Sequence, residues 1–168
     1  MAIVNSAAAG LEAAPRATIL QLRNPGASAR DLEAQALELV ARSPVPVVVS
    51  SRCDIAIAAA AAGVNLPERD IAVAAARSLL GEKLIGRSVH SLEAALRAEQ
   101  DGADYVVFGP VWATPSHGAS EASGVEALSR VARAIRIPVL AVGGVTKERI
   151  DECHAAGAAG YAAIRLFE

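Results

Sequence analysis

Short runs of β-branched and aliphatic residues alternate along this chain with longer Ala- and Leu-rich stretches whose apolar positions recur every three or four residues. Alternating strand-length and helix-length patterns mark parallel α/β architecture, in which each strand is followed by a crossover helix. Eight strand-like runs stand out: Ala2 to Asn5, Thr18 to Arg23, Val45 to Ser50, Gly63 to Leu66, Leu84 to Ser88, Tyr105 to Gly109, Val139 to Gly143 and Tyr161 to Arg165. After the second run, Leu32, Ala36, Leu39 and Val40 make one apolar stripe on a helix over Ala29 to Arg42.

The punctuation agrees with this reading. Ser28 and Ser91 stand where helix N-caps belong, the latter with Ala94 in place of the reciprocal Glu of a capping box. Gly102 and Gly157 read as helix stops. The turns Asp101-Gly-Ala-Asp-Tyr105 and Ala156-Gly-Ala-Ala-Gly160 resemble each other, which suggests repeated βα units. Eight such units predict a TIM (β/α)8 barrel in a single domain over residues 1–168. Barrels of this kind usually run to about 250 residues, so this one is expected to be small and trimmed at both ends. Only Leu-Phe-Glu follows Arg165, too little for an eighth helix.

Composition narrows the function classes. Hydrophobic residues make up 53% of the chain and aromatics only 3%, so the core must be built from Ala, Val, Leu and Ile. The longest apolar run, Ile55 to Val64, is half the roughly 20 residues of a membrane-spanning helix. No secretory signal is recognisable at the N-terminus, and a cytoplasmic location is expected. Cys53 and Cys153 lack metal-ligand or redox spacing and read as buried free thiols. A net charge of -2 with both signs scattered argues against a nucleic-acid surface. The expected partner is a small anion.

In a parallel barrel, the C-terminal strand ends and the loops after them form the active-site mouth. That rule selects Gln21, Arg23, Ser50, Asn65, Asp70, Ser88, His90, Thr114, Ser116, His117, Gly143, Gly144 and Arg165. Cys153 and His154 fall instead on a helix. Hydroxyls at Thr114 and Ser116 can donate to phosphate oxygens, and the successive glycines let backbone N–H groups approach an anion. Arg165 offers a bidentate guanidinium, and His117 a group that changes charge near neutral pH.

From Leu20 to Leu166 the chain resembles the thiamine phosphate synthase and TenI superfamily. The resemblance rests on Gln21-Leu-Arg23, Arg52-Cys-Asp-Ile-Ala56, Gly86-Arg-Ser88-Val-His90-Ser91, Gly102-Ala-Asp-Tyr105, Phe108-Gly-Pro-Val-Trp112, Thr114, Gly124-Val125 and Ile137-Pro-Val with Gly143-Gly144, in that order. It implies a phosphate site at Thr114, Ser116, Gly143 and Gly144, with Gln21, Arg23 and Ser88 lining the ring end of a phosphorylated thiazole. A homodimer is also implied.

The synthases join a pyrimidine pyrophosphate to a thiazole phosphate with Mg2+. Against their pattern, this chain carries Asn24-Pro25 where a Glu-Lys pair stands, Ser50-Ser51 for an Asn-Asp pair, and Asn65-Leu-Pro67-Glu68-Arg69-Asp70 for a His-Leu-Gly-Gln-x-Asp loop. Asp70 alone is left as the carboxylate for Mg2+. The Gly86 to Ser91 motif is closer to the TenI branch, linked to a thiazole tautomerisation that needs a phosphate anchor and an acid/base group but no metal. Pro110 replaces the base histidine of that branch, which leaves His117 and His90 as catalytic candidates. The expectation is therefore a TenI-like isomerase of a thiazole phosphate, with a synthase using Mg2+ through Asp70, or a non-catalytic phosphate-binding protein, as alternatives.

Overall fold

A computed structural model describes residues 1–114 and 122–168 of the chain. Eight parallel strands follow one another around a single sheet: β1 (Ala2–Val4), β2 (Leu20–Leu22), β3 (Val47–Ser50), β4 (Gly63–Leu66), β5 (Leu84–Val89), β6 (Tyr105–Phe108), β7 (Val139–Val142) and β8 (Gly160–Ala162). The ring closes where Ala2 bridges Ala163, with Ile3 N–H donating to the Ala163 carbonyl at 2.9 Å and Ala163 N–H to that of Met1 at 3.2 Å. This is the expected small TIM barrel.

Helices fill the connections: α1 (Ala7–Ala13), α2 (Ala29–Arg42), α3 (Cys53–Ala58), α4 (Val73–Leu80), α5 (Leu92–Gln100), α6 (Gly124–Ala134) and α7 (Ile150–Ala155). The α2 boundaries match the apolar stripe, because Ser28 Oγ accepts from Asp31 N–H at its start. Ser91 caps α5 in the same way through Ala94 N–H. Gly102 and Gly157 take φ of +89° and +94° just past α5 and α7, which L side chains resist. Residues 163–168 turn without forming a helix.

Several strands are shorter than their apolar runs. Pro46 has no N–H and that of Val45 goes to the Ser43 hydroxyl, so β3 starts at Val47. β8 ends at Ala162 with Ala163 bridging β1, and the chain then turns at Ile164, whose carbonyl accepts from Phe167 N–H, so Arg165 lies on that turn beyond the strand.

Two apolar cores result. The larger lies between sheet and helices and includes Leu20, Leu22, Leu39, Val49, Val64, Ile85, Phe108 and Leu128. The smaller plugs the barrel with Met1, Val48, Tyr105, Val107 and Ala162. At the barrel's middle, a Cβ on Gly86 would lie 2.1 Å from the Tyr105 ring, so the ring uses the space that the glycine leaves. Cys53 and Cys153 are both free and buried, and burial pushes their thiols up from the usual range. Among the described residues, no helix is long and apolar enough to cross a membrane.

Candidate active site

Above the apolar plug, at the C-terminal ends of the strands, opens a cavity of about 610 Å³. Its polar floor comes from alternate positions of β2 to β5, which the strand period of two turns inward. Gln21 (3% exposed) and Asn65 (2% exposed) are the two polar residues most deeply buried there. Asn65 donates through Nδ2 to Ser88 Oγ at 3.0 Å, and Ser50 stands beside Asn65 across the β3–β4 register. The Asn65 Oδ1 is buried without a hydrogen-bond partner among the described residues. A buried acceptor left open costs about 1–3 kcal/mol, so this amide is held in the floor at an energetic cost.

On the opposite wall, the loop after β6 packs against the turn after β7. Val111 and Trp112 N–H groups donate to the carbonyls of Val142 and Gly143 at 2.9 and 3.0 Å. The contact demands glycine. Gly143 and Gly144 have φ of +88° and +68°, and a Cβ on either would lie 2.6 Å from Pro110 or 2.7 Å from Trp112 Cβ. The chain thus brings bare backbone to the cavity beside the Thr114 hydroxyl.

The rim is cationic. Arg23, Arg149 and Arg165 line the cavity, together with His90, against Glu68 as its acidic group among the described residues. His90 Nδ1 meets the Glu68 carboxylate across the β4 and β5 loops. Arg87 straps the β4 loop by donating to the carbonyls of Ile71 and Glu68, each at 2.7 Å. Such a mouth concentrates anions.

Of the residues expected from the sequence, Gln21, Arg23, Ser50, Asn65, Ser88, His90, Thr114, Gly143, Gly144 and Arg165 all line this one cavity. Ser116 and His117 lie outside the described residues. Asp70 is not on the cavity wall, and its Oδ1 accepts from the neighbouring Ile71 N–H. Nor do any three His, Cys, Asp or Glu side chains among the described residues gather as metal ligands. Mg2+ usually takes one or two carboxylates and completes its shell with water and substrate phosphates, so Asp70 is a carboxylate that the loop after β4 would offer it.

Sequence reasoning missed Glu68 and Arg149. Glu68 is joined to His90 across 22 residues, a pairing that no local pattern announces. Arg149 lies five residues past Gly144, farther along its loop than the strand-end rule reached.

A sequence profile described as thiamine monophosphate synthase matches residues 2–167. The chain belongs to the thiamine monophosphate synthase family. Thiamine-phosphate synthase of Chloroflexus aurantiacus is 40% identical over 152 residues, covering 88% of this chain and 70% of that protein. The enzyme of the same name from Chlorobium luteolum is 42% identical over 153 residues, covering 88% and 72%. Among solved structures, thiamine phosphate pyrophosphorylase from Pyrococcus furiosus superposes with a TM-score of 0.88 at 30% identity, covering 97% of this chain and 84% of that one.

These relatives correct the isomerase expectation. The proteins about 40% identical to the chain over 88% of its length carry the synthase name, not that of a TenI-like isomerase. The departures at Pro25, Ser50, Ser51 and Pro67 thus sit within a framework otherwise similar to synthases.

Proposed function

We propose that this member of the thiamine monophosphate synthase family joins a pyrimidine diphosphate to a thiazole phosphate. The observation that carries the reading is identity of about 40% to thiamine-phosphate synthases over 88% of the chain. The cavity supports it: the rim carries Arg23, Arg149 and Arg165, one wall exposes backbone at Gly143 and Gly144, and an apolar cluster lies inside the barrel below the polar floor.

In this reading the thiazole phosphate sits against Gly143, Gly144 and Thr114, with Arg165 neutralising its charge from the turn after β8. Ser116 and His117 join that group by resemblance alone. Arg23 faces the diphosphate, while Gln21, Asn65 and Ser88 hold the pyrimidine edge. The C–O bond between the pyrimidine methylene and the diphosphate breaks, and its electron pair leaves on oxygen. The thiazole ring nitrogen then gives its lone pair to that carbon, closing the C–N bond. The chain's contribution is to align the nitrogen with the methylene and to place positive charge where the departing oxygens gain negative charge.

The test is to supply purified protein with both substrates, with and without Mg2+, and oxidise the mixture so that thiamine phosphate becomes a fluorescent thiochrome. Product in proportion to enzyme supports the reading. No product under either condition overturns it.

A further inference from the structure

The two loops that build the phosphate wall are tied together by a side chain belonging to neither contact. Arg149 closes the 3-10 turn Lys147–Arg149 that leads into α7. Its Nη1 donates to the Gly144 carbonyl at 2.7 Å. Its guanidinium carbon lies 5.0 Å from the centre of the Trp112 ring, within cation–π range. The same side chain is half-buried and lines the cavity.

Each contact has a consequence for the backbone between them. In a planar trans peptide the C=O and N–H point in opposite directions. By holding the Gly144 carbonyl, Arg149 therefore turns the N–H of Val145 away from itself. Gly144 and Val145 N–H groups have no backbone acceptor among the described residues, and both residues line the cavity. A charged donor on the carbonyl polarises that peptide and strengthens its N–H as a donor. The stacked Trp112, meanwhile, keeps the loop after β6 against the turn, where there is no room for a side chain on Gly144.

We propose that Arg149 is a positioning residue for phosphate recognition: it clamps the Gly144 peptide to Trp112 and so presets the backbone donors of the anion site. The inference rests on the phosphate-binding half of the proposed synthase reading. Arginine is required because one planar group must donate an N–H and present a π-facing cation at once, and a lysine ammonium cannot satisfy both geometries.

Trp112 is the chain's single tryptophan, so intrinsic fluorescence reports on the clamp directly. Wild type, Arg149→Met and Arg149→Lys are titrated with thiazole phosphate and with inorganic phosphate, and KM and kcat are measured for each synthase substrate. The clamp predicts a shifted resting emission in Arg149→Met and about ten-fold weaker binding of both phosphates. KM for thiazole phosphate should rise more than kcat falls, and Arg149→Lys should recover less than half of the lost affinity. By calorimetry, Trp112→Leu should weaken phosphate binding in the wild type but add little in Arg149→Met, because the two residues act as one unit.

Wild-type affinity in Arg149→Met overturns the inference, as does complete rescue by lysine, which would reduce the residue to a bare charge. The two readings fail separately. Phosphate binding that depends on Arg149 without synthase turnover leaves the clamp standing and removes the synthase. Turnover with unchanged phosphate affinity in Arg149→Met does the reverse.

Discussion

Replacing Gly144 by alanine should damage the glycine wall of the cavity in a way that can be separated from the ordinary cost of losing a glycine. At φ +68°, an L residue pays a conformational penalty of about 1–2 kcal/mol. The added Cβ would also lie 2.7 Å from Trp112 Cβ and 3.0 and 3.1 Å from the carbonyl oxygens of Ala113 and Trp112. Those are backbone or backbone-adjacent atoms, so relief requires the loop after β6 to withdraw by several tenths of an ångström. Overpacking of this kind adds about 1–3 kcal/mol.

Gly102 supplies the control. Its φ is +89°, but its added Cβ would meet nothing within 4 Å, and it lies at the α5–β6 turn away from the cavity. Urea denaturation should show Gly102→Ala losing about 1–2 kcal/mol with kinetics unchanged, and Gly144→Ala losing about 2–5 kcal/mol. In Gly144→Ala, KM for thiazole phosphate should rise at least about ten-fold, the equivalent of one mispositioned phosphate contact. Equal stability losses in the two variants, with phosphate affinity intact in both, would refute the close-approach argument.

Three further outcomes are expected. Asn65→Leu should leave stability within about 1 kcal/mol, since it removes an open buried acceptor along with the bond to Ser88; a pyrimidine-binding assay should nevertheless show about a ten-fold loss, and an unfolded variant would mean the amide is structural. Both cysteines should react with an aromatic disulfide reagent far more slowly in the folded protein than in urea at pH 8, because burial raises both thiols; equal rates would place them at the surface. Hydrogen bonding from Arg52 holds the Asp54 carboxyl down at about 2. A carboxyl lowered on folding adds stability above its unfolded value of 3.8 and loses it as pH falls toward 2. The pair is 40% and 65% exposed, so the contribution is below about 1 kcal/mol; urea midpoints of Asp54→Asn and wild type should differ slightly at pH 7 and converge near pH 2.

The barrel was legible because its strand runs and helix stripes have different periods, and because Ser28, Ser91, Gly102 and Gly157 mark element ends by local chemistry. Strand ends were less so, since apolar residues such as Val45 and Ile164 continue beyond the strands themselves. Most of the mouth was also legible, as a parallel barrel places strand C-termini together whatever the loops contain. What escaped were relations between loops. Nothing near Glu68 points to His90, and nothing near Arg149 points to Trp112, because each pair meets only when two loops fold over one cavity. The reaction was misjudged for a related reason. Substitutions at Pro25, Ser50 and Ser51 were weighed one by one against a metal site, whereas the similarity to synthases is spread over 88% of the chain.

The most direct test of the central claim is phosphorus NMR of the protein with pyrimidine diphosphate and thiazole phosphate. The account predicts that the diphosphate signals give way to free pyrophosphate in step with the appearance of thiamine phosphate, one for one. Unchanged spectra, or pyrophosphate released without thiamine phosphate, would contradict it.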